Sequence, residues 1–260
     1  MVRFSRYIGI DYSGASTPTT GLPGIRVWEA FPSVPPREVL PHEGTQRHWT
    51  RQGIAAWLEK KLSDGPPALI GIDHGFSFPQ AYFETHRLPL SWESFLEDFC
   101  EHWPTEKKDV TVEHVRQGLI GKGTLRGGNS RWRRLCEQRS PGAKSVFHFD
   151  VPGSVAKSTH AGLPWLLELR KTLGARLHFW PFDGWSPEMQ TSVITEVYPS
   201  MWNLDYAREN RSADQHDAYS IARWMRDTDA NGRLTQAFHP YLTEKEQNIA
   251  RFEGWILGLT

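Results

Sequence analysis

The chain has 260 residues, with 30 basic and 30 acidic side chains and hence no formal net charge. That length suits one large domain or a domain carrying an insertion, and a 38% apolar content with twelve tryptophans excludes a disordered chain. Charge neutrality counts against a constitutive, tight nucleic-acid binder, which is basic overall, and no apolar run approaches the length of a membrane span.

The first strand is expected over residues 7–11, where Tyr7-Ile8-Gly9-Ile10 ends on Asp11 ahead of the turn Tyr12-Ser13-Gly14. Residues 24–31 and 36–40 read as a hairpin-like pair, with Pro35-Pro36 confined to a sheet edge or strand start. Ile54, Trp57, Leu58 and Leu62 recur on one face and predict a helix over residues 50–63. Residues 68–73 are the next strand, closing on Asp73 and the turn His74-Gly75, so that Ile-Gly-Ile-Asp occurs twice.

Strand character is then lost from residue 76 to about residue 158. Helices are expected there over 90–103, 110–117 and 130–137, as a mainly helical insertion on a core formed by 1–75 and 161–260. A helix over 161–173 stops at Gly174, and strands follow at 176–180 and 192–197. Ser212 with Gln215, and Thr243 with Glu246, have capping-box spacing and open the last two helices, 212–227 and 243–257.

The chemistry is expected at the carboxylates. Asp11 and Asp73 leave equivalent ends of two buried strands, where α/β folds place ligands. Neighbouring strands lie about 4.8 Å apart, so both acids reach one ion. Glu196 interrupts an apolar strand, and a lone buried carboxylate is costly unless paired or bound to metal. Asp214 and Asp217 share one helix face. Each acid also has a structural reading: a turn residue, a helix-dipole partner, or, for Glu196, the mate of an arginine. Together, oxygen ligands suit Mg²⁺ or Mn²⁺, and two such ions hydrolyse a phosphodiester without a protein base. Asp11, Asp73, Glu196 and Asp217 are the expected catalytic residues, with Asp214 a fifth metal ligand.

The order of strand-end Asp, hairpin, helix, acidic strand and late helix with paired Asp resembles the ribonuclease H-like fold. Asp214-Gln215-His216-Asp217-Ala218 is similar to the closing helix of Holliday-junction resolvases. The segments 7–14, 70–73, Glu196-Val197-Tyr198-Pro199-Ser200 and 214–222 together resemble the domain of unknown function 429 family, whose members are predicted ribonuclease H-like nucleases. The resemblance covers both ends of the chain, and it implies an α/β, ribonuclease H-like mixed sheet flanked by helices and a metal-dependent nuclease. Neutral charge and the long middle segment set this chain apart from a dedicated junction enzyme.

A nucleic-acid contact is expected in the middle. Residues 118–144 carry seven basic side chains against Glu137 alone, while 84–109 carry seven acids and three bases. Lys122, Arg131 and Arg134 are expected phosphate contacts, with Trp132 stacking on a base. Lys157 and His160 open a helix whose N-terminus suits a phosphate, although Gly153-Ser154-Val155-Ala156-Lys157-Ser158 fails the Walker pattern. Two other functions share the same core: an actin-like phosphotransferase, for which Tyr12-Ser13-Gly14-Ala15 is a poor phosphate loop, and a non-catalytic binding protein. The start Met-Val-Arg-Phe-Ser has no apolar h-region, and Cys100 and Cys136 make no metal-ligand spacing. Both points favour a soluble, cytoplasmic protein that is not membrane-bound.

Overall fold

A computed structural model describes residues 3–12, 15–41 and 47–260; the turn expected at Ser13-Gly14 lies outside them. Strand β1 (Arg6–Tyr12) is followed by the antiparallel pair β2 (Ile25–Phe31) and β3 (Val34–Glu38), then α1 (Arg51–Ser63) and β4 (Ala68–Asp73). Short helices α2 (Gln80–His86), α3 (Trp92–His102), α4 (Val112–Arg116) and α5 (Leu135–Arg139) precede the long α6 (Ala156–Leu173). Strands β5 (Leu177–Phe179) and β6 (Ser192–Glu196) lead into α7 (Ala213–Ala230), α8 (Leu234–Phe238) and α9 (Glu244–Glu253). The strands form one six-stranded mixed sheet in the order β3-β2-β1-β4-β6-β5. β1, β4, β6 and β5 run parallel, and β2 and β3 return antiparallel. Pro35 and Pro36 sit on the edge strand β3, where a missing N–H breaks no inner ladder.

Period-two alternation divides the sheet between two cores. Ile8, Ile10, Ile70, Ile72 and Ile194 belong to one, with Leu58 of α1 and Leu166 of α6. Tyr7, Leu69 and Val193 belong to the other, with Ala218, Ile221 and Met225 of α7. The helical middle of the chain is continuous with the first core: Phe76, Phe78, Phe83, Phe95 and Phe99 lie in the same cluster as Ile8 and Ile70. Helix α6 starts at Ala156, ahead of the apolar run, because its first turn buries Ser158, Thr159 and His160. Helix α5 starts only at Leu135, since Arg134 is extended and acts as its N-cap. Among the described residues no helix is long and apolar enough to cross a membrane.

The glycines of the repeated tetrapeptide have a packing cause. Gly9 and Gly71 are register partners on β1 and β4, and both face α7. A Cβ on Gly9 would stand 2.2 Å from the Ala218 carbonyl oxygen and 2.7 Å from the Ala222 nitrogen. One on Gly71 would stand 2.8 Å from methyl groups of Ile221 and Val197. Helix backbone therefore lies directly on strand backbone, an approach only glycine allows. The far end of α7 is clamped as well: the buried Asp229 carboxylate accepts from the Tyr7 hydroxyl at 2.7 Å and from the Phe4 N–H at 3.0 Å.

The two glycines differ in what they would strike, which sets the cost of filling them. Gly9→Ala meets fixed helix backbone and should lose about 3 kcal/mol, the upper end for overpacking. Gly71→Ala meets side chains that yield slightly and should lose about 1–2 kcal/mol. Urea unfolding of the two variants should show this order; equal losses would mean that α7 is not seated on the backbone of β1.

Candidate active site

Asp11 and Asp73 are direct register partners at the carboxyl ends of β1 and β4. Each lies two residues beyond its glycine, so both carboxylates project to the α7 face. Asp217 of α7 precedes Ala218, the residue resting on Gly9. The helix–strand contact thus carries Asp217 to the same end of the sheet, near enough for its charge to act on Asp73. Asn203 orients it, donating from Nδ2 to the Asp217 Oδ1 at 2.8 Å, while its own carbonyl accepts from His216 Nε2 at 2.8 Å. Burial, and then the charges of Asp11, Asp217 and Glu196, hold the Asp73 carboxyl well above the usual carboxylate range. Asp214 lies further out on α7. Its carboxyl is raised by burial, lowered by Arg26 of β2, and raised again by Asp217.

Glu196 is placed differently. It is the register partner of Ile72, not of Asp73, so strand alternation turns it to the opposite face of the sheet. There its oxygens accept from Arg134 Nη2 at 2.6 Å and Nη1 at 2.7 Å, and from the Phe76 N–H at 3.0 Å. The structural reading of this residue, a buried glutamate with an arginine mate, is what the fold contains. Arg134 is itself 1% exposed and also donates through Nε to Glu137 at 2.8 Å. Glu253 of α9 completes the cluster by accepting from the N–H groups of Gln80 and Leu135, at 2.5 and 2.6 Å. Burial raises the Glu137 and Glu253 carboxyls, and Arg134 opposes the rise.

The expected phosphate contacts separate along the same lines. Arg134 is interior and committed to carboxylates, so it does not meet solvent phosphates. His160 is 0% exposed within a cage of aromatic rings; burial brings its pKa down to about 3, so it carries no charge for a phosphate. Lys122, Arg131 and Lys157 are exposed, and Lys122 stands 3.9 Å from Glu101. Most of the basic stretch is internally compensated. Arg126 makes a two-bond pair with Asp98 of α3 at 2.7 Å, Arg139 pairs with Glu246, and Arg133 binds the Glu137 and Ala143 carbonyls. The acidic segment 84–109 supplies partners for Lys122 and Arg126, so its contrast with 118–144 reflects opposite sides of a single contact.

His74 directly follows Asp73 and is legible in the sequence only as a turn residue. Its ring lies between Tyr12 and Phe76, at 4.8 and 5.1 Å, and its Nδ1 meets the Gly75 carbonyl at 2.8 Å. A Cβ on Gly162 of α6 would stand 2.5 Å from Nε2, so glycine is what lets the ring seat. Burial lowers the His74 pKa to about 4. A neutral wedge therefore sets the angle between the end of β4 and α6. A cavity of about 30 Å³ opens beside it, lined by Asp73, Arg134, Lys144, Glu196 and Tyr198.

The donor set bears on whether a cation fits. Among the described residues no three Asp, Glu, His or Cys side chains stand together as a ready cage for an ion. The five-ligand, two-ion arrangement is thus not assembled in the protein by itself. Two strand-end carboxylates fit Mg²⁺ or Mn²⁺ better, because such ions are commonly held by one or two carboxylates, waters and substrate phosphates. The raised Asp73 carboxyl is the mark of acids gathered close together in a buried place. Comparison with known proteins finds no matching family model, no similar curated protein and no similar solved structure.

Two measurements follow from these surroundings. Arg134→Met should cost about 3–5 kcal/mol, the scale for leaving buried charge unpaired. Arg131→Ala should stay within about 0.5 kcal/mol, as for other surface changes; chemical denaturation distinguishes them. For Asp73 the folded carboxyl holds its proton to higher pH than the unfolded one. Stability without divalent ions is therefore lost as pH rises from about 4 through the raised value. Asp73→Asn should remove that loss and be more stable than wild type in EDTA near pH 7, with the gap closing towards pH 4. A variant less stable than wild type throughout would make Asp73 a structural partner instead.

Proposed function

We propose that the protein is a divalent-metal-dependent hydrolase of phosphodiester bonds, a ribonuclease H-like nuclease acting on a short or structured nucleic acid. One observation carries the reading: Asp11 and Asp73 leave adjacent parallel strands in register, on the face against which α7, the helix of Asp217, is seated at Gly9. The strand order, with a β-hairpin ahead of two parallel strands that end in Asp, supports the ribonuclease H-like assignment. So does the resemblance of the site segments to the domain of unknown function 429 family.

In this reading Asp11 and Asp73 would hold Mg²⁺ or Mn²⁺, and Asp217 would be the outer carboxylate, accepting a hydrogen bond from water at the site. The ion supplies charge neutralisation and a more acidic water. Asn203 fixes the Asp217 carboxylate by donating to it, and His74 and Arg134 line the end of β4. Glu196 acts through Arg134 as a positioning residue. Arg131, Lys122 and Lys157 remain as exposed cations for substrate, a sparse set that suits weak binding and a strong salt dependence.

The test is metal-dependent stabilisation together with cleavage. Mn²⁺ should raise the melting temperature of wild type and leave Asp11→Asn and Asp73→Asn unchanged. Both variants should lose hydrolysis of short structured DNA or RNA by about 100-fold or more, as for other groups acting at the transition state. Mn²⁺ stabilising all three proteins equally would remove the strand-end site from the reaction.

A further inference from the structure

A second recess lies away from the carboxylates, between the helical middle of the chain and the first turn of α6, with a volume of about 450 Å³. Volumes of this size hold small organic ligands. Its aromatic walls are Trp103, Phe147 and Phe149. Trp103 and Phe149 are nearly parallel, at 7° and 6.3 Å between centroids, and His160 crosses both at 4.6 Å. The charges on the lining residues cancel: Arg116 makes a two-bond pair with Asp150, and its guanidinium lies 5.0 Å over the Phe149 ring.

Three buried nitrogens on residues lining this recess are left without hydrogen bonds among the described residues: Trp103 Nε1, His148 Nδ1 and His160 Nε2. Trp103 is 3% exposed and His160 0% exposed, and these two adjoin each other. Their chemistry is determined. His160 Nδ1 faces the Ala156 carbonyl at 2.8 Å, and a carbonyl only accepts, so Nδ1 carries the proton and Nε2 offers a lone pair. The indole nitrogen only donates. A donor and an acceptor thus stand on rings whose centroids are 4.6 Å apart. Burying both without partners costs free energy that a ligand recovers.

The chain also builds support for this pair. Pro164 lies inside α6 and has no N–H for the His160 carbonyl one turn earlier. The Thr105 hydroxyl donates to that carbonyl at 2.7 Å instead, which ties the segment after Trp103 to the His160 turn. At the rim, a Cβ on Gly128 would stand 2.2 Å from the Phe147 ring, so the lip lies flat against the wall.

We propose that this recess binds a neutral heteroaromatic ring of the nucleobase class, stacked on the aromatic wall and read by Trp103 Nε1 and His160 Nε2. Every nucleobase carries a donor beside an acceptor on one edge, and bases stack on aromatic and guanidinium planes. A phosphate finds no uncompensated cation in this lining. The inference deepens the nuclease reading by supplying a base subsite, and rests on that reading only for the role of the bound base.

Titration calorimetry with adenosine, guanosine, cytidine and uridine, in EDTA, tests it. Wild type should bind at least one nucleoside saturably, and Asp73→Asn should bind it equally well. Trp103→Phe, which removes the donor and keeps a ring, should weaken binding by about fivefold or more. Ser130→Trp, at the exposed rim, should block the recess without touching the core, as an unchanged melting temperature would show. The proposal is overturned if no nucleoside binds wild type, if both recess variants bind like wild type, or if binding needs Mn²⁺ and disappears in Asp73→Asn. Metal-dependent cleavage without nucleoside binding would sink the base subsite and leave the nuclease reading intact. Nucleoside binding without cleavage would do the reverse.

Discussion

The seating of α7 on the backbone of β1 and β4 is the contact on which the rest of the molecule depends. With any side chain at Gly9, the helix would have to rise off the sheet, since the obstacle is its own Ala218 carbonyl. Raising it would separate the second core, pull Asp217 from Asp11 and Asp73, and strain the Asp229 clamp on Tyr7 and Phe4. The repeated tetrapeptide therefore has two linked jobs. Its glycine sets how near the helix comes, and its aspartate, two residues on, uses the same face at the strand end.

The opposite face of that sheet end is organised by charge. Arg134 joins Glu196 of β6 to Glu137 of α5, and Glu253 of α9 binds the Gln80 and Leu135 N–H groups beside it. Desolvating these groups is expensive, and the pairs offset much of that cost without a large net gain. What the cluster supplies is registration: the segment of Arg134 and Glu137, the end of β6 and the end of α9, distant in sequence, meet at one guanidinium. The two faces thus give the same residue type opposite fates. Glu196 is paired with arginine, whereas Asp73 keeps an elevated carboxyl because burial desolvates it and its strongest charged neighbours, Asp11 and Asp217, are also acids.

Charge along the chain and charge in space differ for a related reason. The acidic and basic segments are adjacent in sequence and fold onto one another through Asp98 with Arg126, and through Glu101 near Lys122. The resulting surface is less polarised than the sequence profile, and the exposed Lys122–Glu101 pair contributes little stability. The neutral aromatic recess beside α6 has the opposite character from a cationic track.

The architecture was legible in the sequence wherever it follows from period and punctuation. The strand ending at Asp73, the proline-bearing edge strand, the capped starts of α7 and α9, and the pairing of Asp11 with Asp73 all rest on local patterns. Helices α2 and α8 escaped because five to seven residues give too little periodicity. The start of α6 escaped because its buried first turn is polar. Which face Glu196 takes was decided only by register, since one residue of offset against Ile72 and Asp73 reverses its direction. Likewise, Arg134 and His160 looked like ligands of phosphate because sequence shows charge and not depth; folding put one into a carboxylate cluster and the other among aromatic rings. Local pattern thus determined the elements and the acids at their ends. Tertiary structure decided which acids share a face, because that depends on register, helix approach and burial, none of which a linear pattern contains.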